Sequence, residues 1–265
     1  MKHLFKNWEK VRKEIAGKYL MLFLDYDGTL APIVDRPEDA RIPVETREAL
    51  ERLSKIRDCK ISIISGRALE DISKRVGIKN IIYSGNHGLE IEGPKIRFKH
   101  SLSCGYGNLL RNIEARLKER LSSERGVFIE NKGLSLTLHF RLAKKEAVSY
   151  IKTVFHEVVI LYLLKNKIKI RPGKKVLEIR PPIEWDKGKI LLWLLARQQA
   201  SLGDVKILPI YAGDDITDED AFEVLEGKGL TIFIGKPGNS QAAYYLKNTK
   251  EALELLNRIV KIKSR

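Results

Sequence analysis

Cysteine is nearly missing from this chain: its 265 residues include two, Cys59 and Cys104. Two cysteines cannot build a disulfide framework or a four-cysteine zinc site. They read as two buried thiols in a protein of the reducing cytoplasm. Long apolar runs are missing as well. The longest, 158–164 and 190–196, fall far short of a membrane span. The first 14 residues alternate charged and apolar side chains instead of forming a secretory leader. There is no internal repeat and no low-complexity segment. Asp is absent from the whole stretch 92–184, which holds 20 Lys and Arg against 9 Glu, a local balance of +11 within a total of +15.

That basic middle raises three classes of anionic partner: nucleic acid, acidic lipid, or a charged metabolite. A surface that reads single-stranded nucleic acid needs aromatic rings interleaved with its cations. Here Phe98, Tyr106, Phe128, Phe140, Tyr150, Phe155 and Tyr162 mostly fall at apolar-face spacing and read as core. Neither nucleic acid nor a membrane is therefore the expected partner.

The flanks have a different rhythm. Leu4, Phe5, Trp8, Val11 and Ile15 recur at helical spacing and predict a helix over 4–18, ended by Gly17. Residues 19–24 (YLMLFL) are a continuous apolar run closed by Asp25, the mark of a strand buried on both faces. A helix over 44–56, a strand over 60–64 ending at Ser65-Gly66-Arg67, a helix over 68–76 and a strand over 80–83 follow. In the middle come a helix over 109–121, a hairpin of 127–130 with 135–141 around Asn131-Lys132-Gly133, and a helix over 144–164. Strands 167–171 and 176–180 then flank Pro172-Gly173. After Pro181-Pro182 the alternation returns: helix 187–199, strand 207–211, helix 220–225, strand 230–234 and helix 251–260. The expected fold is α/β, a Rossmann-like parallel-sheet core of residues 1–90 and 185–265, interrupted by an α+β insertion over 91–184.

Open α/β sheets bind ligands beyond the carboxyl ends of their strands. Four polar groups fall there or at helix starts: Asp25 with Asp27-Gly28-Thr29, Ser65-Gly66-Arg67, Lys187, and Gly213-Asp214-Asp215 with Asp218. Two carboxylates two residues apart beside an apolar strand repel each other, and a divalent cation relieves that repulsion. The alternative is an acidic turn with an N-cap. Asp214 reads as a metal ligand; Asp218, Glu219 and Asp220 can instead cap a helix. Ser65 and Arg67 suit a phosphate at a helix N-terminus, or serve as a cap and a surface cation. Lys187 can neutralise a phosphate or be a solvated helix residue. His139 and His156 read as packing or surface residues rather than ligands.

In this order the motifs are similar to those of the haloacid dehalogenase (HAD) superfamily: Asp25-Tyr-Asp-Gly-Thr-Leu30, Ile64-Ser-Gly-Arg67, Asp186-Lys-Gly188 and Gly213-Asp-Asp-Ile-Thr-Asp-Glu-Asp220. Within it the chain resembles the trehalose-6-phosphate phosphatases, through Leu30-Ala-Pro-Ile33, Pro37-Glu-Asp-Ala40, Gly85-Asn-His-Gly-Leu-Glu90, Gly173-Lys-Lys-Val-Leu-Glu-Ile-Arg-Pro181 and the run on to Phe222. The resemblance implies a C2-type cap over the HAD core and a Mg²⁺-dependent phosphomonoester hydrolase. Asp25 would be its nucleophile, forming an aspartyl-phosphate, and Asp27 its acid/base. Mg²⁺ would be held by Asp25, the Asp27 backbone carbonyl and Asp214, supported by Asp215 or Asp218. Ser65, Gly66, Arg67 and Lys187 would hold the phosphoryl group. His87 would stand near the sugar, which Lys174, Glu178 and Arg180 would read. The expected enzyme is a cytoplasmic monomer acting on a small sugar phosphate, with a trehalose-6-phosphate synthase as a conceivable partner. The rival readings are a sucrose-phosphate or mannosyl-phosphoglycerate phosphatase and, outside the enzymes, a basic nucleic-acid-binding or regulatory subunit with an inactive core.

Overall fold

A computed structural model describes residues 1–102, 105–173 and 175–264, in two units: Met1–Lys99 with Trp185–Arg265, and His100–Glu184. Cys104 and Lys174 lie outside the described residues.

The first unit opens with strand β1 (Lys2–His3), a 3-10 turn (Leu4–Asn7) and helix α1 (Trp8–Ile15). The helix expected over 4–18 is thus shorter, because its first turn winds as 3-10 and Gly17, at φ 72°, turns the chain toward the sheet. Then come β2 (Tyr19–Leu24), α2 (Val44–Ser54), β3 (Cys59–Ile64), α3 (Leu69–Val76) and β4 (Ile82–Gly85). A hairpin, β5 (Glu90–Gly93) and β6 (Ile96–Lys99), continues the same sheet. The expected boundary after residue 90 therefore falls at the start of this hairpin. β5 pairs with β4, and Ile91 and Ile96 are buried in the first unit's core.

The second unit holds α4 (Tyr106–Arg120), β7 (Phe128–Asn131), β8 (Leu136–His139), α5 (Ala147–Leu164), β9 (Lys169–Gly173) and β10 (Val176–Arg180). Its four strands form an antiparallel sheet in the order β7-β8-β10-β9. Leu136, Leu138, Leu177 and Ile179 pack with Leu110, Ile113, Phe155 and Val158 in one apolar cluster. The alternate residues of β8 and β10, Thr137, His139, Glu178 and Arg180, point to the other face, as a period of two requires. By length and composition α5 is apolar enough to cross a membrane. Its buried Ile151, Val154, Phe155, Val158 and Val159 make it the second unit's core helix.

The chain then returns to the first unit as α6 (Lys187–Leu202), β11 (Ile207–Gly213), α7 (Glu219–Val224), β12 (Leu230–Ile234), β13 (Tyr244–Leu246) and α8 (Thr249–Lys263). The nine-stranded sheet runs β1-β13-β12-β11-β2-β3-β4-β5-β6, parallel from β1 to β4 and antiparallel in its last two pairings. β2 is central. Leu20, Leu22 and Leu24 enter the cluster on one face, with Leu50, Leu53 and Leu255, while Met21 and Phe23 enter the cluster on the other, with Ile190 and Phe222. Each such side chain contributes about 1.5–3 kcal/mol on burial, which fixes the height of β2 and so of the residue after it. Its neighbours are β11 and β3, with Leu24 level with Ala212 on one side and Ile63 on the other.

Candidate active site

Because β2, β3 and β11 are adjacent and parallel, their carboxyl ends bring Asp25, Ser65 and Asp214 to one edge of the sheet. The Asp25 N–H extends the ladder by donating to the Ala212 carbonyl (2.9 Å). Lys187 reaches the same place from the first turn of α6. Asp186 caps that helix by accepting from the Lys189 N–H, and Gly188 lets it run close to α7: a Cβ there would lie 2.4 Å from the Asp220 carbonyl oxygen.

The buried Lys187 ammonium donates to Asp25 Oδ1 (2.7 Å) and to Asp218 Oδ1 (2.6 Å). Carboxylate oxygens of Asp25, Asp214 and Asp218 lie within 4.8 Å of one another. Three carboxylates against one ammonium leave an excess of two negative charges in the cluster. Burial pushes the Asp25 carboxyl well above its usual range; Lys187 pulls it down, and Asp218 and Asp214 push it further up. Burial alone would lower the Lys187 ammonium, but Asp218 and Asp25 hold it above its ordinary value. A divalent cation would balance this excess. The oxygen donors suit Mg²⁺, and the cradle is shaped for them: a Cβ at Gly28 would stand 2.3 Å from the Asp214 carboxylate.

The acidic groups of the fourth motif are not equivalent. Asp218, fully buried, accepts four hydrogen bonds: Lys187 Nζ and Tyr211 Oη at one oxygen, and the Asp214 and Asp215 N–H groups at the other (3.0 and 2.9 Å). That fills its four lone-pair positions. Asp218 thus organises Lys187 and the loop that carries Asp214 and Asp215. Asp215 caps the short 3-10 turn Ile216–Asp218 through the Ile216 N–H.

Ser65 is buried after β3 and does not cap α3, whose N-cap is Ala68. Its hydroxyl accepts from the Arg67 N–H (3.1 Å), leaving its hydrogen to donate. The His87 N–H donates to the Ser65 carbonyl (3.0 Å), and the His87 ring lies over Gly66, where a Cβ would stand 2.5 Å from Nε2. Asn86 and His87 both adopt left-handed backbone (φ 49° and 53°), a costly conformation for non-glycine residues, typical of functional loops. The Arg67 guanidinium grips both oxygens of Asp27, Nε to Oδ2 at 2.8 Å and a terminal nitrogen to Oδ1 at 2.7 Å. This differs from the expected phosphate role.

The chain has known relatives. The family model described as trehalose-phosphatase matches residues 23–250. The chain belongs to the trehalose-phosphatase family. It is 37% identical over 263 residues to probable trehalose-phosphate phosphatase 4 of Oryza sativa subsp. japonica, covering 97% of this chain and 70% of that one. It is 34% identical over 272 residues to trehalose-phosphate phosphatase B of Arabidopsis thaliana, with 97% and 70% covered. The trehalose-6-phosphate phosphatase C-terminal domain of C. albicans superposes with a TM-score of 0.83 over 98% of this chain and 99% of that one, at 23% identity. The expected α/β core, a mostly parallel sheet interrupted by an α+β insertion, is the observed fold.

In this family member the second unit carries its own polar cluster. Glu178 is 6% exposed and pairs with Arg180 (2.7 Å from Nε, 2.6 Å from a terminal nitrogen) and with Lys132 (3.4 Å). Across the sheet Glu178 stands level with Thr137 and Arg171, and Thr137 with Glu130. Glu130 meets His139 Nε2 at 3.0 Å and Lys132 at 3.9 Å. His156 is exposed, with Nδ1 2.7 Å from the Lys152 carbonyl. The sequence reading missed Lys132, Glu130 and Tyr211. Lys132 and Glu130 were legible only as a hairpin turn and its flank, and Tyr211 as an apolar strand residue.

Proposed function

We propose that this protein hydrolyses trehalose 6-phosphate to trehalose and phosphate. The reading is carried by Asp25 at the end of β2, 2.7 Å from the buried Lys187 ammonium, in a chain of this family. Asp25 Oδ attacks phosphorus and the bond from phosphorus to the sugar oxygen breaks. Asp27 gives its proton to that leaving oxygen. In the second half Asp27 takes a proton from water, whose oxygen attacks the phosphorus of the aspartyl-phosphate and frees Asp25 and inorganic phosphate. Lys187 and the Ser65 hydroxyl stabilise charge on the phosphoryl oxygens. Asp25, the Asp27 carbonyl and Asp214 would hold Mg²⁺, which supplies a Lewis acid that draws charge from the transferring phosphoryl group. For location we infer the reducing cytoplasm, on the scarcity of cysteine.

The direct test is phosphate release from a panel: trehalose 6-phosphate, sucrose 6-phosphate, glucose 6-phosphate and mannosyl phosphoglycerate. Trehalose 6-phosphate should give the highest kcat/KM; a clear preference for another member would move the protein to that substrate.

The sugar is read, in this proposal, by Glu178 and its cationic neighbours. A carboxylate accepts paired hydrogen bonds from vicinal hydroxyls, and Lys132 and Arg180 fix its position. Removing Glu178 outright would break its buried ion pairs with Arg180 and Lys132, a loss of about 3–5 kcal/mol. Glu178→Gln keeps the shape. Hydrogen bonds to a charged group contribute about 1.5–3 kcal/mol, so kcat/KM on trehalose 6-phosphate should fall at least about tenfold. Hydrolysis of p-nitrophenyl phosphate should stay within about threefold, as remote binding energy matters only for the sugar. Equal losses on both substrates would assign Glu178 to the fold.

A further inference from the structure

Arg67 is 7% exposed, although its motif position suggests a ligand for phosphate. Its guanidinium has five N–H donors, and four are committed. Two hold the two oxygens of Asp27, one reaches Asp71 Oδ2 (3.0 Å), and one reaches the Pro37 carbonyl (2.8 Å). Its plane is further steadied over the ring of Tyr26, 5.4 Å from the centroid. Asp71 is in turn held by Arg75 through 2.8 Å contacts. Asp27, by contrast, keeps 43% of its side chain exposed, so it remains open to a substrate while its plane is set from behind. A planar fork that spans both oxygens fixes a carboxylate's rotation as well as its place.

We propose that Arg67 is the positioning residue of Asp27 and is not a phosphate ligand. The inference rests on the reading of Asp27 as the acid/base. Arg67, locked by Asp71 and the Pro37 carbonyl, aims the Asp27 carboxyl at the leaving oxygen and then at the attacking water.

Lysine separates the two roles, because a point charge serves a phosphate well but cannot span two carboxylate oxygens. In the full-length enzyme, Arg67→Lys should lower kcat on trehalose 6-phosphate at least about tenfold. KM and the inhibition constant of inorganic phosphate should stay within about threefold. Arg67→Lys combined with Asp27→Asn should be no slower than Asp27→Asn alone, since coupled residues do not add. A phosphate inhibition constant raised about tenfold with kcat intact, or losses that multiply, would overturn the proposal. Should Arg67→Lys fail to fold, Asp71→Asn carries the test. It should reduce kcat while leaving phosphate inhibition unchanged, and an unchanged kcat refutes the clamp. Full activity in Asp27→Asn sinks the reading of Asp27 itself. An inactive Asp27→Asn beside an Arg67→Lys of wild-type kcat sinks only the positioning.

Discussion

Asp25→Asn is expected to bring turnover of trehalose 6-phosphate down by at least about a thousandfold, roughly 4 kcal/mol of lost transition-state stabilisation, while the protein stays folded. The substitution keeps the side chain's size and the oxygen that Lys187 touches at 2.7 Å, but it removes the charged nucleophile. The structure sets the sign of the stability change. Burial and two neighbouring carboxylates raise the Asp25 carboxyl above its ordinary value. A carboxylate raised in the fold costs stability above its unfolded pKa, because the folded state resists the charge. At neutral pH and without metal, Asp25→Asn should therefore melt at or above the wild-type temperature. Activity and melting temperature moving in opposite directions would mark a reacting residue. Turnover near wild type in a folded Asp25→Asn protein would refute the nucleophile.

Much of the site was legible because its residues follow strands that announce themselves. The run Tyr19–Leu24 is apolar at every position, and its strand matches the expected bounds, as does Leu230–Ile234. A strand buried on both faces cannot be mistaken for an amphipathic helix when a charged residue closes it after six positions. Once β2, β3 and β11 were recognised as parallel, Asp25, Ser65 and Asp214 had to share an edge. The weak elements were less visible. β1 and β13 have two and three residues and exist through their mutual pairing and β12, a long-range fact that no local pattern encodes. The β5–β6 hairpin did carry a signal, Ile91, Ile96 and Phe98 alternating with Glu92, Arg97 and Lys99, which the shift to a basic composition obscured. Side-chain bonding was the least legible level. The sequence puts Arg67 beside a phosphate motif, yet its fork closes on Asp27, forty residues earlier. Likewise Asp218 looks like a helix cap, and only the fold shows its four hydrogen bonds in use.

Chelation should abolish activity and added Mg²⁺ should restore it, because the cluster is short of positive charge by the amount a divalent cation carries. Asp25 and Asp218 share the Lys187 ammonium and Asp214 lies within 4.8 Å of their carboxylates, and neutralising the excess favours both the carboxylates and an incoming phosphate. Ca²⁺ should restore little, since its longer and looser coordination displaces the phosphoryl oxygens. Binding also has a readout apart from turnover. An ion that binds the folded state alone stabilises it by about 2.7 kcal/mol at a hundred times its Kd. For a unit of this size that amounts to a rise of roughly 5–10 °C in Tm. Asp214→Asn should remove most of that rise and increase the Mg²⁺ needed for half-maximal activity at least about tenfold. Asp218→Asn should behave differently. Its carboxylate is saturated by Lys187, Tyr211 and two backbone N–H groups, so its replacement should lower Tm in the absence of metal by disrupting buried hydrogen bonds, although Lys187 keeps Asp25 as a partner. If Mg²⁺ leaves Tm unmoved and the chelated enzyme turns over at full rate, the carboxylates are a charge network around Lys187 and nothing more. If Asp214→Asn and Asp218→Asn shift the Mg²⁺ requirement equally, the two acids share the ion and the saturation argument for Asp218 fails.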